Sequence, residues 1–410
     1  MHKSASKIQV YLYALMVFMV TFYGINFIFS PAIRYLFVIV ATFLHIQLFS
    51  RTKIFLVFLI YFLIVFMNFL LGDSFYHDLK RVLLNNMYLL ASLSITYYLF
   101  TYQNNTPGIM KGILVAVVLA IIWHTIATAF LDIASPGIVR TVNQQIKMGE
   151  MDESVFAHLY SIGMTNYMFP HAIPIMISPL MLVIRSDRFV VKEKYIAIAI
   201  LVCCLLLVYF SGATGPLLVS IVIIVAAFVV SETSTSANFA KLVFLFILII
   251  PFLLNDELML GVLDWIDDLV GSESHFHSKV VAFQESIYYD EAAGDVGERQ
   301  DLYLKDIELF FNNFLWGTQE DVGGHSVILL RMATLGIVGF LPLIGIIVLH
   351  VKYVKRYIDK KVKIYYYIGL VAAFIMLATK GVTTWEMIFF PVTVLPISLY
   401  LIQNKQPKKA

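Results

Sequence analysis

The chain has 410 residues, of which 60% are hydrophobic and 14% are charged. An ordinary soluble domain is about 45–50% apolar, and the mean hydropathy here is +0.84, so the composition excludes a soluble globular protein of this size. The formal net charge of +2 says little by itself, and we expect no binding to nucleic acid.

Apolar runs of about 20 residues, which are long enough to cross about 30 Å of hydrocarbon, recur along the whole chain. They predict an all-α polytopic membrane protein with about twelve transmembrane helices. In chain order, the predicted spans lie near residues 9–29, 35–50, 54–71, 82–100, 112–131, 162–184, 195–210, 216–230, 242–260, 326–351, 364–379 and 383–402.

Lysines and arginines are concentrated in the connections at 185–194 and 352–363. Short cytoplasmic loops carry the excess of these residues in membrane proteins. Both connections are therefore predicted to lie in the cytoplasm, together with both chain termini. The same topology places the two longest connections, 132–161 and 255–325, on the outer side, with most of the acidic residues.

This topology divides the chain into three parts. Residues 1–254 are predicted to form transmembrane helices 1–9, with the outer loop at 132–161 among them. Residues 255–325 form one long extracytoplasmic loop. Residues 326–410 form transmembrane helices 10–12 and a cytoplasmic tail.

Short amphipathic helices are predicted within the long loop. Over 301–314, aromatic and aliphatic residues recur at helical spacing, with Asp301, Lys305 and Glu308 between them. Residues 258–270 combine apolar residues with aspartates in the same manner. Helices of this kind lie on a membrane surface or on the helix bundle, so we do not expect a separate soluble domain.

Neither the cysteines nor the histidines predict a metal site. Cys203 and Cys204 are adjacent in an apolar run and are interpreted as small hydrophobic residues of a helix. His275 and His277 are not accompanied by an ordered set of further ligands. We therefore expect no metal and no cofactor. The histidines within predicted spans, interpreted as hydrogen-bonded residues of the bundle interior, are His45, His124 and His171.

Two arginines and one histidine near the predicted outer face are the candidates for chemistry. Arg140 and Arg299 lie in the two outer loops, and His325 lies where the long loop re-enters apolar sequence. A guanidinium group binds phosphate or pyrophosphate through two parallel hydrogen bonds, and a neutral histidine accepts a proton from a hydroxyl. The alternatives are a surface ion pair for each arginine and a helix-capping role for the histidine.

Two further cations, Arg331 and Lys380, lie within or at the ends of apolar runs. A charge in such a position needs an anionic partner, because an unpaired charge in the membrane is costly. The sequence contains no phosphate-binding loop and no cytoplasmic nucleotide-binding domain. A donor that is reachable from the outer face, such as a lipid-linked one, is therefore favoured over ATP or a sugar nucleotide.

One segment begins with the candidate histidine and continues into an apolar run. In HSVILLRMATLGIVG, a leucine and two glycines follow His325 at Leu329, Gly336 and Gly339. In order and spacing this segment resembles the O-antigen polymerase and O-antigen ligase superfamily, in which an asparagine often stands at the position of Ser326.

Three other segments resemble the same superfamily. GERQDLYLKDIELFFNNFLWGTQ is similar to an arginine-led helix that ends in a glycine turn, with Arg299 and Gly317 at the matching positions. YFSGATGPLLVSIVII resembles a Ser-Gly-Ser-Arg-Gly turn, with Ala213 and Thr214 where the family has Ser-Arg. Arg140, ahead of SIGMTNYMFPHA, is similar to an arginine that precedes an outer re-entry.

This resemblance implies a metal-independent glycosyltransferase of the bacterial cytoplasmic (inner) membrane, with its active site on the outer face. The implied reaction is extracytoplasmic polymerisation of lipid-linked oligosaccharide repeat units of an O-antigen or a capsular polysaccharide. The donor would be a glycan on undecaprenyl pyrophosphate. The resemblance implies that His325 and Arg299 are catalytic, and that Arg140 and Arg299 bind the pyrophosphate.

The expected partners are undecaprenyl-pyrophosphate-linked glycans and membrane lipids, with a chain-length regulator and a flippase as further candidates. One alternative within the same superfamily is an O-antigen ligase, which transfers the glycan to lipid A core. An alternative of another class is a polysaccharide flippase or transporter, since twelve spans with both termini inside suit that class equally well. A structural scaffold for polysaccharide assembly is a third reading.

Overall fold

A computed structural model of the chain is helical throughout the regular structure that it describes, with no strand among those residues. The described residues are 7–22, 36, 39–40, 43, 45–71, 75–135, 138–139, 142, 158–159, 161–165, 169–230, 237–238, 240–241, 256–270, 277, 280–281, 284–285, 294–318, 326–380 and 384–405. Their side chains are described too, except at 69, 71, 75–85, 256–259, 269–270 and 294–300.

We number the helices α1 to α12 in chain order. They are α1 Lys7–Thr21, α2 Lys53–Leu71, α3 Phe75–Thr101, α4 Pro107–Ala134, α5 Ile173–Arg185, α6 Val191–Phe210, α7 Thr214–Val229, α8 Asp256–Val270, α9 Gly294–Asn312, α10 Val327–Val354, α11 Lys363–Ala378 and α12 Trp385–Gln403. Helices α8 and α9 confirm that helices form in the two amphipathic stretches of the long loop.

Four of these helices, α4, α6, α10 and α12, are long and apolar enough to cross a membrane, judged by length and composition. Shorter apolar helices are α1, α2, α5, α7 and α11. The prediction of an all-helical chain built for a membrane is thus confirmed in its general form. The predicted span near 242–260 lies largely outside the described residues, whereas the one near 35–50 is described at 36, 39–40, 43 and 45–50.

Helix α5 lies inside the larger hydrophobic core, where it contacts α6, α7 and α11. Small residues let the helices around it approach closely. A Cβ atom added to Gly108 or Gly112 of α4 would come within 3.1 and 3.2 Å, respectively, of the Val10 side chain of α1. Close backbone approach at small residues is how helices pack in a membrane, where the apolar solvent gives little drive for association.

A second core joins α2, α3 and α10 and contains Tyr61, Val65 and Leu335. Helices α2 and α10 run antiparallel along each other. A Cβ atom on Gly339 would lie 3.3 Å from Ile64, and one on Gly345 would lie 3.3 Å from Val57. The two helices therefore pack closely at both glycines.

The two basic connections meet at one end of the bundle, where α12 ends. Arg188 donates from Nη1 to the carbonyl of Gln403 at 3.4 Å. The Gln403 side chain also accepts a hydrogen bond from the backbone N–H of Asp359 at 2.7 Å. The connections at 185–194 and 352–363 therefore lie at the same end, as the predicted topology requires.

Buried histidines hold the interior together as expected. His45 is hydrogen-bonded to the hydroxyl of Tyr13, and His124 lies 2.8 Å from the carbonyl oxygen of Gly163 through Nδ1. His171 is also buried. The prediction of hydrogen-bonded interior histidines is confirmed for His45 and His124.

Helix α12 contains a π-helical segment, Phe390–Val394, shortly before Pro396. Pro396 has no N–H group and so donates nothing to the carbonyl of Val392 one turn earlier. A neighbouring helix satisfies that carbonyl instead, since Thr96 of α3 donates from Oγ1 to it at 3.0 Å.

We expect Thr96→Val to destabilise the protein by about 1 kcal/mol, because the Val392 carbonyl loses a buried donor in an apolar surrounding. The measurement is thermal unfolding in detergent. Thr101→Val on the same helix is the matched control, since Thr101 is exposed. It also loses one hydrogen bond, to the Tyr353 hydroxyl at 3.1 Å, but water can replace that partner, so stability should change by a few tenths of a kcal/mol. Equal effects of the two substitutions would contradict this account.

Candidate functional site

The arginine-led segment of the long loop forms a helix that ends in a tight turn. Helix α9 is followed by residues 313–318, where the N–H of Asn313 donates to Leu309 at 3.0 Å and the N–H of Gly317 donates to Asn313 at 2.8 Å. Gly317 has a φ of +72°, a conformation that glycine adopts without a steric penalty. The turn thus ends the helix and redirects the chain.

Helix α10 is interrupted at Gly336, which has φ +57° and ψ −171°. An interruption within an apolar segment leaves backbone groups that water cannot satisfy. Here the turn at 313–318 satisfies them. Thr318 N–H donates to the Ala333 carbonyl at 2.9 Å, and the carbonyl of Phe314 accepts from Ile337 N–H at 2.8 Å. A third bond, 3.2 Å long, joins Val338 N–H to the carbonyl of Leu315.

We call this pairing of the turn at 313–318 with the break at Gly336 the glycine clasp. A Cβ atom on Gly336 would lie 2.5 Å from both the N of Gly317 and the carbonyl oxygen of Leu315. A Cβ atom on Gly317 would lie 2.6 Å from the N of Gly336. Both positions therefore require glycine, on grounds of space and of backbone conformation.

A third helix supports the clasp. Asn68, near the end of α2, is 3% exposed and donates from Nδ2 to the carbonyl of Trp316 at 3.2 Å. Since α2 also packs along α10, the turn at 313–318 is held between two helices of the bundle. The long loop is thus fastened to the bundle at a defined point.

The start of α10 is fixed by two hydrogen bonds. Ser326 is fully buried, and its hydroxyl accepts from the N–H of Leu329 at 3.2 Å as the helix N-cap. The N–H of Val327 donates to the carbonyl of Lys380, beyond the end of α11. Serine and asparagine are both preferred N-cap residues, so the difference from the resembled family pattern at Ser326 preserves the cap.

The three residues predicted to form the site fall at the edges of what the structure describes. His325 lies outside the described residues and directly precedes the Ser326 cap. Arg299 lies in α9, but its side chain is outside the described side chains. Arg140 also lies outside the described residues, while Val139 and Val142 on either side of it are fully buried. That these three side chains form one site therefore stays a prediction.

The glycine clasp joins the two chain segments that carry the first two of these residues. Arg299 precedes the end of α9 by 13 residues, which correspond to about 20 Å of helix. His325 precedes Gly336 by 11 residues of the chain. Helix α9 also packs against α10. The clasp thus fixes one segment relative to the other, with both candidates at comparable chain distances from it.

Two buried carboxylates near this region were not singled out as individual sites from the sequence. Asp306 of α9 is 1% exposed, and Glu386 in the first turn of α12 is fully buried. Each had a signal. Asp306 interrupts the apolar stripe between Tyr303 and Phe310 at helical spacing, and Glu386 is the single charged residue of the predicted span at 383–402. An ionisable residue within a membrane segment is a candidate for function.

No group of three or more histidines, cysteines or acidic residues in the described part of the chain is placed to hold a metal ion. Around α8, the polar groups pair with each other. His277 Nδ1 lies 2.6 Å from Oδ1 of Asp267, and Gln284 donates to Asp264 at 2.8 Å. These contacts tie the segment after α8 back onto that helix.

No protein-family model matches the chain, and the comparison with curated proteins finds no match either. The resemblance to the O-antigen polymerase and ligase superfamily therefore rests on the four segments described above.

Proposed function

We propose that the chain is a metal-independent glycosyltransferase that polymerises lipid-linked oligosaccharide repeat units of an O-antigen or a capsular polysaccharide. The observation that carries this proposal is the glycine clasp. Its two glycines, Gly317 and Gly336, belong to the two segments in which the resemblance implies Arg299 and His325 as catalytic residues. A direct backbone contact between these segments gives the implied site a structural basis.

The proposed reaction joins two lipid-linked glycans. A hydroxyl oxygen of the acceptor sugar attacks the anomeric carbon of the donor, a new C–O bond forms, and the bond from that carbon to undecaprenyl pyrophosphate breaks. His325 takes the hydroxyl proton as general base. Arg299 and Arg140 bind the departing pyrophosphate, whose negative charge grows in the transition state. No metal is needed in this scheme.

We further propose about twelve transmembrane helices in the bacterial cytoplasmic membrane, with both termini inside and the long loop outside. The meeting of the basic connections at 185–194 and 352–363 with the end of α12 supports this topology, since the positive-inside rule assigns all three to the cytoplasm. The donor and acceptor lipids then approach the site from the outer side.

A transporter is the competing class, and the break in α10 bears on it. Transporters use interrupted helices to present free backbone groups to a substrate. Here the break at Gly336 is filled by the turn at 313–318, which takes up the Ala333 carbonyl and two N–H groups. This observation favours a structural anchor for the outer loop over a substrate site within the break.

The test is complementation of a deletion strain with His325→Ala and Arg299→Ala at matched protein levels, with glycan length read on gels. Loss of a general base or of transition-state charge stabilisation lowers the rate by about 10²-fold or more, so both variants should lack long glycans. His158→Ala and Arg356→Ala, at exposed positions, are the matched controls. Long glycans in either variant would overturn the role of that residue.

The same deletion strain separates polymerase from ligase. A missing polymerase leaves single repeat units attached to their acceptor, whereas a missing ligase leaves long glycans on the carrier lipid. We expect the first pattern.

A further inference from the structure

Arg331 is a half-buried cation in the apolar part of α10, between the Ser326 cap and the break at Gly336. The sequence around it, VILLRMATL, contains no other charge. In the proposed topology this part of α10 belongs to the outer half of the membrane. The proposed reaction assigns no role to Arg331.

Arg331 lies one helical turn before the second core. Leu335, one turn later on the same helix face, is fully buried against α2, in the core that also contains Tyr61. The cation is thus half-buried on a helix face that packs on apolar side chains.

Arg331 forms no ion pair with any acidic residue in the part of the chain that the structure describes. An arginine within a membrane segment is stabilised by an anion, and a guanidinium group matches the oxygens of a phosphate with two parallel hydrogen bonds. The bilayer itself supplies such anions as lipid phosphates.

We propose that Arg331 binds a phosphate group of a membrane lipid. The inference rests on the proposed function for the identity of one source, the pyrophosphate of an undecaprenyl-linked glycan. The other source is the headgroup of an anionic phospholipid. Arg331 follows His325 by six residues in the chain. A lipid phosphate bound by Arg331 helps to anchor a lipid-linked substrate at the chain segment that carries the proposed general base.

The test is direct lipid binding by the full-length protein in maltoside micelles, measured by native mass spectrometry. Undecaprenyl pyrophosphate and phosphatidylglycerol are titrated separately into the wild type, Arg331→Leu and Arg331→Lys. We expect Arg331→Leu to weaken the binding of its lipid about tenfold or more, and Arg331→Lys to weaken it less, because a point charge remains without the planar fork. Arg356→Leu, at an exposed position at the other end of α10, is the matched control.

The two lipids identify the source. A loss confined to undecaprenyl pyrophosphate assigns the site to the carrier lipid, and an equal loss for both lipids assigns it to lipid phosphates in general. Unchanged binding of both lipids by Arg331→Leu overturns the inference. If Arg331→Leu does not fold, Arg331→Lys still provides a test. Lipid binding by Arg331→Lys equal to that of the wild type overturns bidentate phosphate binding.

This experiment does not depend on polymerase activity. The two proposals can fail separately. Normal glycans in His325→Ala and Arg299→Ala would contradict the proposed function, while loss of lipid binding in Arg331→Leu would still support the lipid site. Short glycans in the first two variants with unchanged lipid binding in Arg331→Leu would do the reverse.

Discussion

Gly336→Ala should detach the turn at 313–318 from α10 and remove most of the proposed glycan-polymerising activity. Gly336 has a positive φ. A Cβ atom added there would lie 2.5 Å from two backbone atoms of the turn at 313–318. Strain of this kind together with overpacking costs about 3 kcal/mol or more. Separation of the turn from the helix relieves this strain at the lowest cost in free energy, and it breaks the three backbone hydrogen bonds of the clasp.

The expected results are a clear fall in the temperature of thermal unfolding in detergent and glycans shortened to one or a few repeat units. Gly317→Ala should act in the same way, since its Cβ atom would meet the N of Gly336. The double substitution should add little to either single one, because both break the same contact. Gly215→Ala is the control, as a Cβ atom there would enter open space.

Additive effects of Gly317→Ala and Gly336→Ala would contradict the clasp as a single unit. Long glycans in Gly336→Ala would show that fastening the loop is not needed for catalysis. A fall in stability with normal glycans would thus keep the clasp as a structural feature and separate it from the proposed chemistry.

Local patterns in the sequence predicted much of the helical architecture, because hydrophobic runs and helical spacing are properties of neighbouring residues. The amphipathic stretch at 301–314 falls largely within α9, and the adjacent cysteines lie within α6 as free thiols. Buried histidines followed from the same reasoning, since a histidine inside an apolar run has to find a polar partner.

Local sequence patterns could not predict the clasp, although both of its glycines stand in segments that resemble the superfamily. The positive φ of Gly336 depends on the turn at 313–318, some 20 residues away in the chain. In the same way, Pro396 predicts a missing hydrogen bond within α12, but its replacement by Thr96 is a contact between helices that are distant in sequence. Long-range pairings of this kind have no local signal.

Arg299→Lys should lose most of the proposed polymerising activity while the protein remains folded. Lysine keeps the positive charge but places it on a single ammonium group, which cannot make the two parallel hydrogen bonds of a guanidinium group to pyrophosphate oxygens. Lysine and arginine have similar helix propensities, so α9 should form equally well in the variant. We expect a rate about tenfold or more below the wild type, measured as glycan length at matched protein levels, with unchanged thermal unfolding.

The comparison of Arg299→Lys with Arg299→Ala separates two roles of this residue. If Arg299 only attracts an anionic lipid, lysine should restore nearly all of the activity that alanine removes, because a point charge suffices for attraction. If Arg299 holds the departing pyrophosphate in a fixed orientation, lysine should restore little. Arg356→Lys controls for the substitution itself, since Arg356 is exposed. Full activity in Arg299→Lys would leave the proposed site without its bidentate arginine and would shift that role to Arg140.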